Sequence, residues 1–345
     1  MRSGARRTRI RPVPEPAIIF EHEMRADRDE SRLRTPARSS SALDRVEDTP
    51  WRRSPIPGVQ VRPWAHVSRV PARHSLSVDV EDWPQSVLDG RLPVSDRFIA
   101  QTLRLAELIE LRGARATFFM LGNITRKAPE LARRLTQSGH EIQTHGYDHR
   151  RVDRMTPAEF RADLLRSQAV IEDVIGRKVS GYRAPRFSIH AGNPWALDVL
   201  AECGFRYDSS IFPMRLRGYG VAGWPQRAHQ VRTSDGAELI EIPVACGRML
   251  SAPMPLGGGG YLRVLPVFIV RRHLAVQEAL GCPELVYCHP YETDAYGVSR
   301  AGRRVPWLTR VHQGAGRAGF LNKLDELLTR FRFAPIREVF GINES

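Results

Sequence analysis

Residues 129–149, PELARRLTQSGHEIQTHGYDH, decide the fold. Pro129 to Gln137 reads as a helix, with Gly139 placed as its C-terminal cap. Glu141 to Thr144 then reads as a strand whose end delivers His145. A helix that leads through one glycine turn into a strand is the repeating unit of an α/β protein.

The same alternation extends in both directions. Upstream, His74 to Val80 reads as a buried strand ending in carboxylates, Phe98 to Leu111 as a helix, and Ala116 to Leu121 as a strand. Downstream, Thr156-Pro157-Ala158-Glu159 carries a Thr cap, a Pro at the first helical position and a Glu that can reach back. Phe160, Leu164, Ile171 and Ile175 then fall on one face. Gly181 to Pro185 is a strand and its exit, Asn193-Pro194 starts another helix, and Phe205 to Asp208 is the next strand. Strand–helix–strand recurs at least four times. That argues for parallel strands with helices outside, and for a site at the strands' C-terminal ends.

After Ser210 the pattern loosens. Pro213 to Gly223 reads as a long loop, Leu239 to Val244 as a strand, and Gly257 to Gly260 as a flexible loop facing substrate. No Lys-Ser or Lys-Thr follows those glycines, so they do not make a phosphate loop. Pro266 to Leu280 is a helix, Leu285 to Cys288 a buried strand ending at His289, and Phe320 to Phe331 a closing helix.

Composition sets the outer limits. The chain has 345 residues, and 42% hydrophobic content is ample for a core. The net charge of +14 is unevenly spread: residues 1–73 hold sixteen Arg, no Lys and nine acidic residues. Residues 1–72 are rich in Arg, Pro and Ser without sustained periodicity, and are expected to be a disordered basic extension. Nucleic-acid binding is not expected, because no zinc-finger spacing, aromatic RNP-like stretch or long basic helix supports it. Cysteines 203, 246, 282 and 288 form no C-x-x-C pair. Neither a signal-peptide apolar region nor a run of about 18 apolar residues is present, so the expected location is cytoplasmic, with peripheral membrane contact as an alternative.

The chemistry sits at the strand ends. His145 and His149 offer two imidazoles at a strand-to-loop turn; Asp79, Glu81 and Asp82 form a carboxylate cluster at another. Neutral nitrogens and carboxylate oxygens suit a hydrolytic divalent metal. Arg183, after a third strand, can orient a carboxylate and hold it ionised. His289, after an apolar strand and before Pro290, is the best candidate for a general acid. Asp208-Ser209-Ser210 reads equally as a cap or a turn.

Taken together, Ser77-Val78-Asp79-Val80-Glu81-Asp82-Trp83, Thr144-His145-Gly146-Tyr147-Asp148-His149, Tyr182-Arg183-Ala184-Pro185, Tyr207-Asp208-Ser209-Ser210 and Tyr287-Cys288-His289-Pro290 resemble, in order, the five motifs of NodB-type polysaccharide deacetylases, carbohydrate esterase family four. The branch linked to exosortase polysaccharide loci is the most similar, through Gly257 to Arg263 and Phe331-Arg332-Phe333. The resemblance covers roughly residues 74–340 and implies a domain over 73–340, with 211–340 as the branch-specific part that includes the last motif. It implies a distorted (β/α) barrel, one divalent metal, with zinc expected, and removal of N-acetyl groups from amino sugars of a polysaccharide or its lipid-linked precursor. His145 and His149 would bind the metal together with Glu81 or Asp82. Asp79 would be the base, steadied by Arg183, and His289 the acid, tuned by Asp208. The common pattern has two adjacent Asp in the first motif, which points to Asp82 as ligand and to Glu81 as an alternative base; a one-residue gap between carboxylates points to Glu81 as ligand. Gly146 departs from the Ser or Thr of many members. Hydrolysis of another amide, such as a cyclic ureide, and non-catalytic sugar binding are the alternative functions.

Overall fold

The computed structural model describes residues 49–64, 73–216, 218–249, 252–300 and 305–342. Their strands are β1 (Arg52–Arg53), β2 (Gln60–Pro63), β3 (His74–Val80), β4 (Thr117–Met120), β5 (Glu141–Thr144), β6 (Gly181–Tyr182), β7 (Tyr207–Asp208), β8 (His229–Arg232), β9 (Glu238–Glu241), β10 (Cys246–Met249), β11 (Ala252–Pro255), β12 (Leu285–Cys288) and β13 (Phe333–Ala334). The principal helices are α1 (Arg97–Leu111), α2 (Gly122–Lys127), α3 (Pro129–Gln137), α4 (Pro157–Ile175), α5 (Trp195–Glu202), α6 (Gly260–Val264), α7 (Val267–Ala279), α8 (Trp307–Gly314) and α9 (Phe320–Arg330).

Strands β12, β3, β4, β5, β6, β7 and β9 run side by side and parallel. A parallel bridge from Val244, just beyond β9, to Leu285 of β12 closes the ring. The expected distorted barrel is therefore present, with helices outside it. β3 explains how it is filled. Leu76, Val78 and Val80 join the apolar layer beneath the helices, and Ser77 and Asp79 alternate with them on the other side. The neighbours follow suit: Phe118 and Met120 pack outward, whereas Phe119 and Tyr207 pack together inside. Gly181 has no room for a side chain, since a Cβ there would sit 2.1 Å from the Tyr207 ring.

Local signals account for the helix starts. Thr156 accepts from the Glu159 N–H at 3.2 Å while the Glu159 carboxylate accepts from the Thr156 N–H at 2.8 Å, so the expected capping box forms. Phe160, Leu164 and Ile171 of α4 are buried against the barrel. No helix among the described residues is long and apolar enough to cross a membrane.

Two expectations need correction. Residues 1–72 are not wholly disordered: β2 pairs antiparallel with β8, Ile56 and Val59 are buried, and Trp51 lies under the guanidinium groups of Arg62 and Arg232. A few large apolar residues within an Arg- and Pro-rich background suffice to anchor the segment. Residues 1–48 and 65–72 lie outside the described residues. Second, the glycine run is pinned rather than loose. Gly258 bridges to Tyr287 of β12, with φ +135°, and a Cβ there would sit 1.7 Å from the Tyr287 carbonyl oxygen. Glycine is required because the backbones touch. Gly258→Ala is expected to cost at least ~2 kcal/mol in urea unfolding, whereas Gly90→Ala, with open space around it, should cost less than about 1 kcal/mol.

Candidate active site

The ends of β3, β5, β6 and β12 open into a cleft of about 630 Å3, lined by Asp79, Glu81, His149, His289 and Tyr291 among others. β3 releases Glu81 one residue beyond its end, and β5 releases His145. The chain then turns through Gly146, at φ +84°, where a Cβ would meet the Asp163 carboxylate at 3.0 Å. His149 itself takes a left-handed φ of +66°, a conformation that costs a non-glycine residue energy and is typical of functional turns.

His145 Nε2 lies 3.1 Å and His149 Nε2 3.0 Å from the same oxygen, Glu81 Oε1. All three side chains are buried. His145 Nδ1 is 2.8 Å from the Arg183 carbonyl, which can only accept, so Nδ1 carries a proton and in the neutral ring Nε2 presents a lone pair to Glu81. A lone pair facing a carboxylate oxygen inside a protein calls for a cation between them. The imidazoles and His289 outweigh burial and hold Glu81 well below the usual carboxylate range. Ligand atoms on a tetrahedral zinc stand about 3.3 Å apart, given bonds of about 2.0–2.2 Å. The donor set therefore fits a divalent metal.

Asp82 does not join this set. Its carboxylate accepts from the Ser95 N–H at 2.9 Å and the Ser95 hydroxyl at 2.7 Å, just ahead of α1. Of the two carboxylates left open by the sequence, Glu81 is the one among the imidazoles. Strand alternation carried one step past the end of β3 puts Glu81 on the side of Asp79 and Asp82 on the other, and the structure keeps that order.

Asp79 is brought to the same place. Its Oδ1 accepts from Arg183 Nη1 at 2.7 Å. Arg183 is completely buried and spends its other donors on the Ser77 hydroxyl (2.8 Å), the Ser209 carbonyl (3.2 Å) and the Ser209 hydroxyl (2.9 Å). Its guanidinium lies 4.4 Å from the Phe119 ring centre. His289 completes the cluster, with Nε2 3.9 Å from Glu81 Oε1 and its ring stacked on Tyr291 at 4.7 Å.

The expected contact of Asp208 with His289 is not made. Ser210 donates to Asp208, and the same hydroxyl accepts from the Ala184 N–H at 2.7 Å. Burial pushes Asp208 up to about 6 and raises its neighbour Glu241 well above the usual range. Asp208 thus braces the loop that follows Arg183. The carboxylate that faces His289 is Glu292, whose Oε1 lies 3.8 Å from Nδ1. Sequence reasoning missed Glu292; its one signal was an acidic residue three positions after His289, the spacing of a helical first turn. Arg263, which faces Glu292 Oε1 at 3.1 Å, was also missed as a site residue.

The geometry separates two variants. Glu81→Gln is expected to lower zinc or cobalt affinity at least tenfold in calorimetric titration. Asp82→Asn should keep the affinity within about threefold and lower stability by about 1–2 kcal/mol through the loss of charged acceptors at α1.

Comparison with known proteins agrees with this geometry. Residues 99–207 match the family described as polysaccharide deacetylase, and residues 209–341 match a domain of unknown function, DUF3473. A peptidoglycan deacetylase of Helicobacter pylori is 28% identical over 152 residues, 41% of this chain and 51% of that protein. The chain thus spans about half the length of that relative. A candidate polysaccharide deacetylase from Mycobacterium smegmatis has a similar fold, with a TM-score of 0.55 at 20% identity over 81% of this chain and 94% of its own. PuuE allantoinase shares the fold at a TM-score of 0.53 and 13% identity, over 80% of this chain and 91% of its own. A barrel closed by β12, functional side chains gathered at one end of it and the family match lead to one conclusion: residues 99–207 belong to a polysaccharide deacetylase domain of the NodB type.

Proposed function

We propose that residues 73–340 form one hydrolase domain that removes N-acetyl groups from the amino sugars of a glycan, free or lipid-linked. The observation that carries this reading is the meeting of Glu81, His145 and His149 beside Asp79 and His289. The deacetylase activity in the name of the Helicobacter pylori relative supports it. A cytoplasmic location belongs to the same reading, supported by four unpaired cysteines.

Glu81, His145 and His149 would hold the metal, and zinc suits two imidazoles with a carboxylate. A divalent cation bound there supplies Lewis acidity toward a carbonyl oxygen and toward water. The chain's own groups do the rest. Asp79, aimed by Arg183, takes the proton of the attacking water. Its Oδ1 is fixed by the guanidinium, so the basic lone pairs point in a set direction. His289 gives its Nε2 proton to the departing amine, which is otherwise a poor leaving group. Burial lowers the affinity of His289 for a proton, but Glu81, Glu292 and Asp79 outweigh it and raise the group to about 9. Below its pKa it enters the reaction charged. Phe187, Tyr287 and Tyr291 contribute aromatic walls to the cleft.

Mass spectrometry of N-acetylated glycans, some carrying a lipid anchor, is the direct test; loss of one acetyl group per event is expected, with no opening of a cyclic ureide. His289→Ala should keep its metal and lose at least about 100-fold in kcat. The rate should fall as pH rises through the pKa of His289. A cation on Glu81 offsets part of the field that raises that value, so the alkaline limb should lie between 6.5 and about 9. An alkaline limb unchanged in His289→Ala would refute the acid assignment.

A further inference from the structure

Glu292 is fully buried, three residues past His289 in a single helical turn, Pro290–Thr293. It is held from several sides. Its Oε2 accepts from the His289 N–H at 3.1 Å, and its Oε1 faces Arg263 Nε at 3.1 Å and His289 Nδ1 at 3.8 Å. Arg263 is buried in its turn and donates through Nη1 to the carbonyls of Gln313 (2.6 Å) and Ala315 (3.1 Å), at the C-terminal end of α8. Gly316 makes that approach possible: a Cβ there would sit 2.2 Å from the Arg263 carbonyl oxygen. A buried carboxylate and a buried guanidinium are costly unless both are satisfied, and an ion pair worth little for stability is retained where it fixes geometry.

What it fixes is the His289 ring. One face of the ring stacks on Tyr291 at 13° between planes, and the edge of Tyr287 meets it at 5.5 Å between centres. Those contacts set the plane but not which nitrogen points where. Glu292, 3.8 Å from Nδ1, and Glu81, 3.9 Å from Nε2, stand at ion-pair rather than hydrogen-bond distance. Their charges on either side of the ring favour Nδ1 toward Glu292, where no other partner among the described residues meets it, and Nε2 toward the cleft. A carboxylate behind an imidazole selects the tautomer with the proton on the near nitrogen.

We propose that Glu292, clamped by Arg263, is a positioning residue for the hydrolysis, holding the His289 ring so that Nδ1 keeps its proton and Nε2 gives one to the leaving amine. The inference rests on the acid role given to His289 above. It hands to Glu292 the task that the resemblance gave to Asp208. It also gives a chemical duty to residues 209–341, the segment matched only to a domain of unknown function, since Arg263, His289, Glu292 and the carbonyls behind them all lie there.

A double-mutant cycle tests it on the metal-loaded, full-length protein. Glu292→Gln is expected to lower kcat for acetate release about 10- to 100-fold, with KM within about threefold and metal content unchanged. In a His289→Ala background the same change should have less than a twofold effect, because a residue that acts through the ring has nothing left to position. Wild-type kcat in Glu292→Gln, an equal loss in both backgrounds, or loss of the metal would each overturn the proposal. If Glu292→Gln fails to fold, Arg263→Lys takes its place in the cycle, and the same three results would overturn the proposal. A second readout needs no turnover. In protein labelled with nitrogen-15 histidine, the neutral His289 ring, assigned by its absence in His289→Ala, should show the Nδ1–H tautomer and lose that preference in Glu292→Gln. An unchanged tautomer sinks the positioning role; an inactive wild-type protein with the expected tautomer shift sinks the deacetylase reading instead.

Discussion

A guanidinium with no access to water governs this barrel. Arg183 cannot shed its charge, so every donor it carries must meet an acceptor inside the protein. Asp79 and Ser77 come from β3, and Ser209 comes from just beyond β7. The partners are thus drawn from strands on either side of the Arg183 loop, and meeting them fixes the distance across the barrel mouth. The carbonyl of Arg183 also accepts a hydrogen bond from His145 Nδ1. One residue thereby aims a carboxylate with its side chain and an imidazole with its backbone. Asp208 and Ser210 secure the backbone that follows it.

The interior explains why polar residues are tolerated at positions where parallel strands are usually apolar throughout. Alternation along β3, β4 and β5 sends Leu76, Val78, Phe118, Met120 and Ile142 toward the helices and sends Ser77, Asp79, Glu141 and Gln143 inward beside Phe119. These inner groups are satisfied by one another: Glu141 takes a hydrogen bond from Thr117 at 2.6 Å and another from Tyr207 at 3.1 Å. A buried polar network is stable only when every member is paired, and the pairing also gives a rigid floor to the cleft.

The sequence made the first half of the fold legible because its signals are local. Capping at Thr156, the glycine stop at Gly139 and four strand–helix alternations need no knowledge of distant residues. The site was legible for the same reason, since each functional side chain follows directly on a strand. The parts that stayed hidden depend on contacts across long stretches of chain. Glu81 and Asp82 are neighbours in sequence; alternation from Asp79 favours Glu81, but a turn at the strand end could reverse it, and only the position of Ser95 and of the imidazoles decides. Glu292 could not be distinguished from Asp208 without the turn that folds it back on His289. β1 and β2 sit in a segment whose composition argues for disorder, and they are ordered because β8 offers them an edge.

The seam between the two family matches falls within the Tyr207-Asp208-Ser209-Ser210 stretch, yet the barrel is closed by strands on the far side of that seam. Neither segment owns a complete wall. A fragment ending at residue 207 would leave β7 without β9, β3 without β12 and Arg183 without Ser209, and a fragment beginning at 209 would present β12 with no β3 to lie against. Recombination that moved one segment to a new host without the other would therefore have to supply new neighbours for those strands, which ties the two segments into one structural unit.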